Sequence, residues 1–200
     1  MKRIVLLALL ALALPLAAFA DSVDFTNSGG ALSGSTTGLS LSSSELIAVN
    51  GFNGGGLQTG DLGSLAFSTG SMASGNLQKG ATFNSGGSFT IKGTASGLPS
   101  TIFNGSFSGP VTWTLVTLAN GTHSYTLTGA VTGTWYNGAT VFGATVQLTI
   151  NTGHGYFKGE TRLSSGDTNI VTTVPEPGTL GLLGTGLVGI AGAIHRKRKT

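Results

Sequence analysis

Between residues 101 and 163, apolar and polar residues alternate along the chain, as they do in β-strands that bury one face. The run from 111 to 118 places Val111, Trp113 and Leu115 on one such face. The run from 140 to 150 is equally regular, and its alternate positions predict one shared buried face: Phe142, Ala144, Val146, Leu148 and Ile150. Helical periodicity is missing between residues 21 and 173, so we expect strands throughout the body of the chain.

Asn-Gly pairs separate these alternating runs at three places: Asn104-Gly105, Asn120-Gly121 and Asn137-Gly138. Asn and Gly tolerate the positive φ angles of a type I′ turn, which joins two antiparallel strands directly. We therefore interpret residues 101–163 as an antiparallel meander.

The first half of the body has weaker strand signals, which Gly-rich segments separate. The candidate strands are residues 23–26, 39–41, 45–49, 65–68 and 88–92. Short strands at this spacing favour a sandwich or a strongly curved sheet. The predicted fold class is therefore all-β, an antiparallel meander or sandwich.

The first targeting segment, residues 1–20, has the three parts of a secretory signal peptide. Lys2 and Arg3 form its positive start, and residues 4–14 form an unbroken apolar run. Ala18 and Ala20 then supply the small residues that signal peptidase accepts. Cleavage after Ala20 would leave Asp21 as the first residue of the exported chain.

The second targeting segment, residues 174–200, contains three elements in order. Pro175-Glu176-Pro177 comes first, and its prolines favour an extended, exposed backbone that an enzyme cleft can grip. Residues 179–194 are apolar and, as a helix, would span about 24 Å, which predicts one short transmembrane helix. A cationic run at the end predicts a cytoplasmic tail and an inner-membrane intermediate: Arg196, Lys197, Arg198 and Lys199.

Charge and composition narrow the function of the body. The chain has 10 Lys and Arg residues against 7 Asp and Glu residues, but residues 21–173 hold only four of the cations and six of the acids, a net charge of −2. A body with this charge has no basic patch for nucleic acid. There is no cysteine, which excludes disulfides, thiol nucleophiles and zinc-thiolate sites. His123 and His154 have no metal-ligand spacing and are expected in solvated loops, so we expect no metal and no cofactor.

Two further sets of residues bear on glycan chemistry. Trp113 and Trp135 are in phase with apolar neighbours and are expected in the core, whereas Tyr136 and Tyr156 lie near turns and are the better candidates for a sugar-stacking surface; Tyr125 is a further candidate. Three carboxylates could supply a hydrolytic pair, although the sequence does not indicate that any two meet: Asp61, Glu160 and Asp167. We therefore expect a protein that is not an enzyme.

The C-terminal arrangement resembles the PEP-CTERM sorting signal of bacterial exported proteins. The matching residues are the Pro175-Glu176-Pro177 motif, the Gly-rich apolar segment and the basic run that ends at Lys199. The resemblance implies recognition by an exosortase, an integral-membrane transpeptidase-like enzyme with its own catalytic cysteine, in bacteria that make exopolysaccharide. The Gly-, Ser- and Thr-rich, cysteine-free body is similar to the passenger domains of that group, for which the family implies no defined activity.

These observations predict three regions: a signal peptide in residues 1–20, a β ectodomain in 21–173 and a sorting segment in 174–200. We expect an exported surface or extracellular-matrix protein that an exosortase processes, with a structural role associated with exopolysaccharide. The expected partners are signal peptidase, the exosortase, the inner membrane during transit and exopolysaccharide. The alternative is a secreted glycan-binding or glycan-active β-domain that carries the same sorting signal.

Overall fold

Thirteen antiparallel strands and one short 3-10 turn, Phe52–Gly54, make up residues 21–172, the part of the chain that the computed structural model describes. The strands are β1 (Asp21–Ser28), β2 (Ala31–Ser35), β3 (Gly38–Asn50), β4 (Gln58–Ser68), β5 (Met72–Asn76), β6 (Gly80–Phe83), β7 (Gly86–Gly93), β8 (Phe103–Phe107), β9 (Val111–Thr117), β10 (His123–Trp135), β11 (Thr140–Gly153), β12 (Glu160–Arg162) and β13 (Ser165–Thr172). The all-β prediction is confirmed.

Eight of the strands close into a barrel, in the order β1, β3, β4, β7, β8, β10, β11 and β13. Closure depends on the ends of the body, because β13 lies between β11 and β1 and pairs Asn169 with Thr145 on one side and with Asp24 on the other. The expected meander is present in the pairing of β10 with β9 and β11. The expected sandwich is not, because one continuous hydrogen-bonded ring replaces two separate sheets.

Two long strands extend beyond the ring and carry the remaining strands. The first half of β10 pairs with β9, where Thr128 lies opposite Thr112, and β6 and β5 follow β9 outward. The first half of β3 pairs with β2, which in turn pairs with β12. These additions lie at the end of the barrel where β10 begins, which we call the distal end. The opposite, proximal end holds Asp21 and Thr172, which are paired neighbours on β1 and β13.

The core is filled by apolar side chains from all eight strands of the ring. Phenylalanine rings dominate it, and Phe89 lies within 6.2 Å, centroid to centroid, of Phe67, Phe103 and Phe107. Gly133 explains how so many rings fit, since a Cβ at this position would lie 2.8 Å from the Phe103 ring and 2.4 Å from the Asn104 carbonyl oxygen. The glycine thus lets an aromatic ring lie directly on the barrel wall.

Several local predictions differ from the structure. Asn104-Gly105 is not a turn but the middle of β8, where Gly105 pairs with Gly133. Phe142 is 72% exposed rather than buried, because the register of β10 against β11 shifts between Val131 and Gly133 and puts Val141 inside instead. The other two Asn-Gly pairs do form turns, closed by hydrogen bonds from Gly121 to Leu118 and from Gly138 to Trp135.

Within residues 21–172 no helix is long and apolar enough to cross a membrane. The predicted membrane helix at 179–194 and the signal peptide at 1–20 lie outside the described residues.

Candidate functional site

An open groove lies on the outer wall of residues 21–172, with a volume of about 680 Å³. It crosses five neighbouring strands: β1, β13, β11, β10 and β9. Its lining consists of Asp24, Pro110, Thr112, Thr128, Gly129, Thr145, Val146, Gln147, Asp167 and Asn169. We call this surface the wall groove.

Strand register explains why polar side chains collect there. Outward positions on adjacent strands lie directly opposite one another, so that a single row runs Thr26, Asp167, Gln147, Thr128 and Thr112. Neighbouring strands are about 4.8 Å apart, and the row therefore repeats a polar group at that interval. A second row adds Asp24, Asn169 and Thr145 beside it.

Hydrogen bonds hold the two carboxylates of the wall groove in place. The Thr26 hydroxyl donates to Asp167 Oδ1 at 3.0 Å, and Asn169 Nδ2 donates to Asp24 Oδ1. The Thr112 and Thr128 hydroxyls share a hydrogen bond of 2.5 Å. Each carboxylate bond engages one oxygen, so the second oxygen of each group is the one that a ligand hydroxyl would approach. Carboxylate, amide and hydroxyl groups at regular intervals suit a hydroxyl-rich ligand.

The structure separates the carboxylates that the sequence singled out. Asp61 is on β4 and Glu160 is on β12, and neither lines the wall groove. Asp167 does line it, beside Asp24, which the sequence analysis did not single out. Alternation around Asp24 predicts that its side chain points outward, but only the pairing of the first strand with the last brings it to Asp167.

The aromatic residues divide between core and surface largely as expected. Trp113 and Trp135 are buried, and Tyr136 and Tyr156 are 40% and 47% exposed, which confirms the prediction for all four. Tyr125 is fully buried, so it offers no sugar-stacking surface. Its hydroxyl instead donates to the Gln78 carbonyl oxygen at 2.8 Å and accepts from the Phe157 amide at 3.1 Å.

The two histidines of the body behave differently. His154 is exposed, as predicted, and its Nδ1 lies 3.2 Å from the Gly121 carbonyl oxygen. His123 is buried, contrary to the prediction, because the Tyr156 ring stacks on it at 4.5 Å and the Thr117 hydroxyl lies 3.1 Å from its Nδ1. Among residues 21–172, no three His, Cys, Asp or Glu side chains are grouped as metal ligands would be.

The residues predicted to direct export all lie outside the described residues. They are Ala18 and Ala20 of the signal-peptidase site, the Pro175-Glu176-Pro177 motif, and the basic run Arg196, Lys197, Arg198 and Lys199. Their assignments therefore remain predictions from sequence.

Comparison with known proteins identifies one part of the chain. Residues 173–198 match the family model described as the PEP-CTERM protein-sorting motif. No curated protein and no solved structure matches the chain. The matched segment begins directly after β13 and contains the Pro-Glu-Pro motif, the apolar segment and most of the basic run. The chain therefore carries a C-terminal PEP-CTERM sorting signal, the segment by which exported proteins are marked for processing by an exosortase.

Proposed function

We propose that this protein is exported, processed by an exosortase near Pro175-Glu176-Pro177, and released as an intact β-barrel that associates with exopolysaccharide at the cell surface or in the extracellular matrix. The match of residues 173–198 to the PEP-CTERM motif carries the processing part of this proposal. The wall groove supports the glycan part.

The position of the last strand fits release without damage to the fold. β13 ends at Thr172, before the motif begins, and Thr172 pairs with Asp21 on β1. A cut near Pro175 therefore removes no strand of the barrel. Signal-peptidase cleavage before Asp21 likewise spares β1, which begins at that residue.

The wall groove fits recognition of a neutral, hydroxyl-rich chain. Asp24 and Asp167 accept hydrogen bonds from sugar hydroxyls, and Asn169, Gln147 and the threonines can both donate and accept. Two carboxylates on one open surface repel an anionic polymer, so the groove favours a neutral one. The same two carboxylates are also compatible with the alternative that the protein hydrolyses a glycan. Release of reducing ends tests this alternative directly.

Processing is tested by Glu176→Ala in a host that has the exosortase. The substitution leaves the apolar segment and the basic run unchanged, so we expect the precursor to remain in the inner membrane while the wild-type protein is released. Glu160→Ala, at an exposed acidic residue on β12, is the matched control and should be released normally. If Glu176→Ala and wild type fractionate identically, the segment acts only as an anchor.

Glycan binding is tested with the processed protein and the neutral exopolysaccharide fraction of its host. Asp24→Asn with Asp167→Asn should weaken co-sedimentation at least tenfold, roughly the value of hydrogen bonds to charged groups. Asp61→Asn, outside the groove, is the control. Equal binding by all three proteins would rule out the wall groove, and release of reducing ends that the double variant abolishes would favour the enzymatic alternative.

A further inference from the structure

The cationic residues of the body are concentrated at the distal end. Lys79, Lys158 and Arg162 lie on the β5–β6 turn, on the segment after β11 and on β12, whereas the fourth cation, Lys92, is on β7 of the barrel wall. Among the acidic residues of the body, only Glu160 lies on one of the added distal strands. The distal additions and the loops that join them therefore hold three cations and one acidic residue, although the body as a whole has a net charge of −2.

The buried Tyr125 hydroxyl bridges the two backbone segments that carry Lys79 and Lys158. It bonds to the Gln78 carbonyl oxygen at 2.8 Å and to the Phe157 amide at 3.1 Å. Lys79 follows Gln78 and Lys158 follows Phe157, and both lysines are exposed. The Trp113 indole also donates to the Leu77 carbonyl oxygen at 2.9 Å, so the turn that bears Lys79 is anchored at two points.

An exposed aromatic residue, Tyr156, precedes Lys158 by two positions in the chain. Phe157 is buried in the core, whereas its neighbours Tyr156 and Lys158 are exposed. The Tyr156 ring stacks on His123 at an interplanar angle of 17°, which holds one face of the ring against the protein while the residue stays 47% exposed. We call Tyr156, Lys158 and Lys79 the distal patch.

We propose that the distal patch binds an anionic polysaccharide, with a sugar ring stacked on Tyr156 and carboxylates of the chain near Lys79 and Lys158. The wall groove, with Asp24 and Asp167, suits a neutral chain, so the two surfaces have different ligands. The inference goes beyond the proposed function and shares with it only the premise that the released protein meets polysaccharide outside the cell.

Charge density favours a polysaccharide over other anionic partners. Duplex DNA carries about one charge per 1.7 Å of axis and is held by several phosphate contacts, far more than two lysines provide. An acidic polysaccharide carries fewer charges and offers apolar ring faces, which suit one immobilised tyrosine and two exposed lysines on adjoining segments. A second copy of the chain is the remaining candidate, because the acidic wall groove of one molecule could attract the distal patch of another.

The test uses processed protein purified from its host and polygalacturonate as the probe, with dextran of similar length as the neutral comparison. We expect wild type to bind polygalacturonate and to lose affinity as the salt concentration rises, since exposed charges are screened. The double variant Lys79→Glu with Lys158→Glu should weaken binding at least fivefold, because each exposed ion pair that it removes contributes up to about 1 kcal/mol. Lys92→Glu, the same change on the barrel wall, should leave binding within twofold of wild type.

The aromatic contribution is separated by two substitutions at one position. Tyr156→Phe keeps the stacked ring and should retain binding, whereas Tyr156→Ala should lose it; Tyr136→Ala at the proximal end is the control. Thermal unfolding of each variant shows whether its fold is intact, and Tyr156→Phe together with the lysine variants decides the question if Tyr156→Ala unfolds.

Four outcomes would overturn the inference: no binding of polygalacturonate by wild type, an equal loss in Lys92→Glu, tighter binding of duplex DNA or anionic vesicles, or self-association in sedimentation that the lysine variants abolish. Asp24→Asn with Asp167→Asn should not weaken polygalacturonate binding. This comparison separates a failure of the distal patch from a failure of the wall groove.

Discussion

The inner and outer surfaces of the barrel wall are built from the same strands but from different residues. On β10, Leu127, Val131 and Trp135 face inward and are buried, whereas Thr128 and Ala130 face outward and are exposed. The inner surface is a continuous apolar core rich in packed aromatic rings. The outer surface of β1, β13, β11, β10 and β9 presents rows of hydroxyl, amide and carboxylate groups. We infer that the stability of the barrel depends on the inner residues. The outer residues contribute little to stability and can therefore bind a ligand.

The largest expected effect comes from truncating the aromatic core. Phe89 is fully buried and its ring lies near those of Phe67, Phe103 and Phe107. Phe89→Ala should lower the free energy of unfolding by about 3–5 kcal/mol, since it removes buried area and leaves a cavity. Phe142→Ala, at a 72% exposed position, should change it by less than about 0.5 kcal/mol. Similar losses in guanidinium unfolding for the two variants would contradict the division between inner and outer surfaces.

A smaller effect is expected where a glycine makes room for a ring. In Gly133→Ala the new Cβ would meet the Asn104 carbonyl oxygen and the Phe103 ring, so β8 and β10 must shift. We expect a loss of about 1–3 kcal/mol, the usual consequence of overpacking a core. Gly109→Ala is the matched control, because a Cβ at Gly109 meets no atom within 4 Å. The two variants should differ in denaturation midpoint. Equal midpoints would show that β8 and β10 can shift to accept the new Cβ without a loss of stability.

The smallest effect is expected on the outer surface. Thr128→Val keeps a β-branched side chain in the strand and removes only the hydroxyl that bonds to Thr112. The free energy of unfolding should fall by less than about 1 kcal/mol, because an exposed hydrogen bond contributes little net stability. Urea titration followed by tryptophan fluorescence measures this directly. A loss as large as that of Phe89→Ala would mean that the polar rows are part of what stabilises the fold.

Local patterns in the sequence predict much of the second half of the barrel. Alternation and Asn-Gly turns place β9, β10 and β11 and bury Trp113, because neighbouring strands in a hairpin need only local information. The predicted burial of the inner residues of β11 from Ala144 to Ile150 is also confirmed. The prediction that Phe142 is buried is wrong because a bulge in the pairing of β10 with β11 reverses the alternation. A bulge leaves no clear signal in a Gly-rich strand.

Non-local pairing accounts for what the sequence could not predict. β13 joins β1 across the whole length of the body, and this contact both closes the barrel and creates the wall groove. The burial of His123 likewise depends on Tyr156, which reaches it from a different segment. The strands β5 and β6 were missed because they are only five and four residues long and show no extended alternation of apolar and polar residues. The PEP-CTERM motif, matched over residues 173–198, could be recognised from the sequence because it is a short linear signal that does not depend on strand pairing.

The central claim is that the C-terminal segment is removed and the barrel is released intact. The most direct test is the intact mass of the native protein from a host that has the exosortase and from the same host without it. The account predicts a chain outside the cell that begins at Asp21 and ends before the apolar segment at 179–194 in the first host, and a membrane-bound chain that retains Thr200 in the second. A chain that retains Thr200 in both hosts would contradict it.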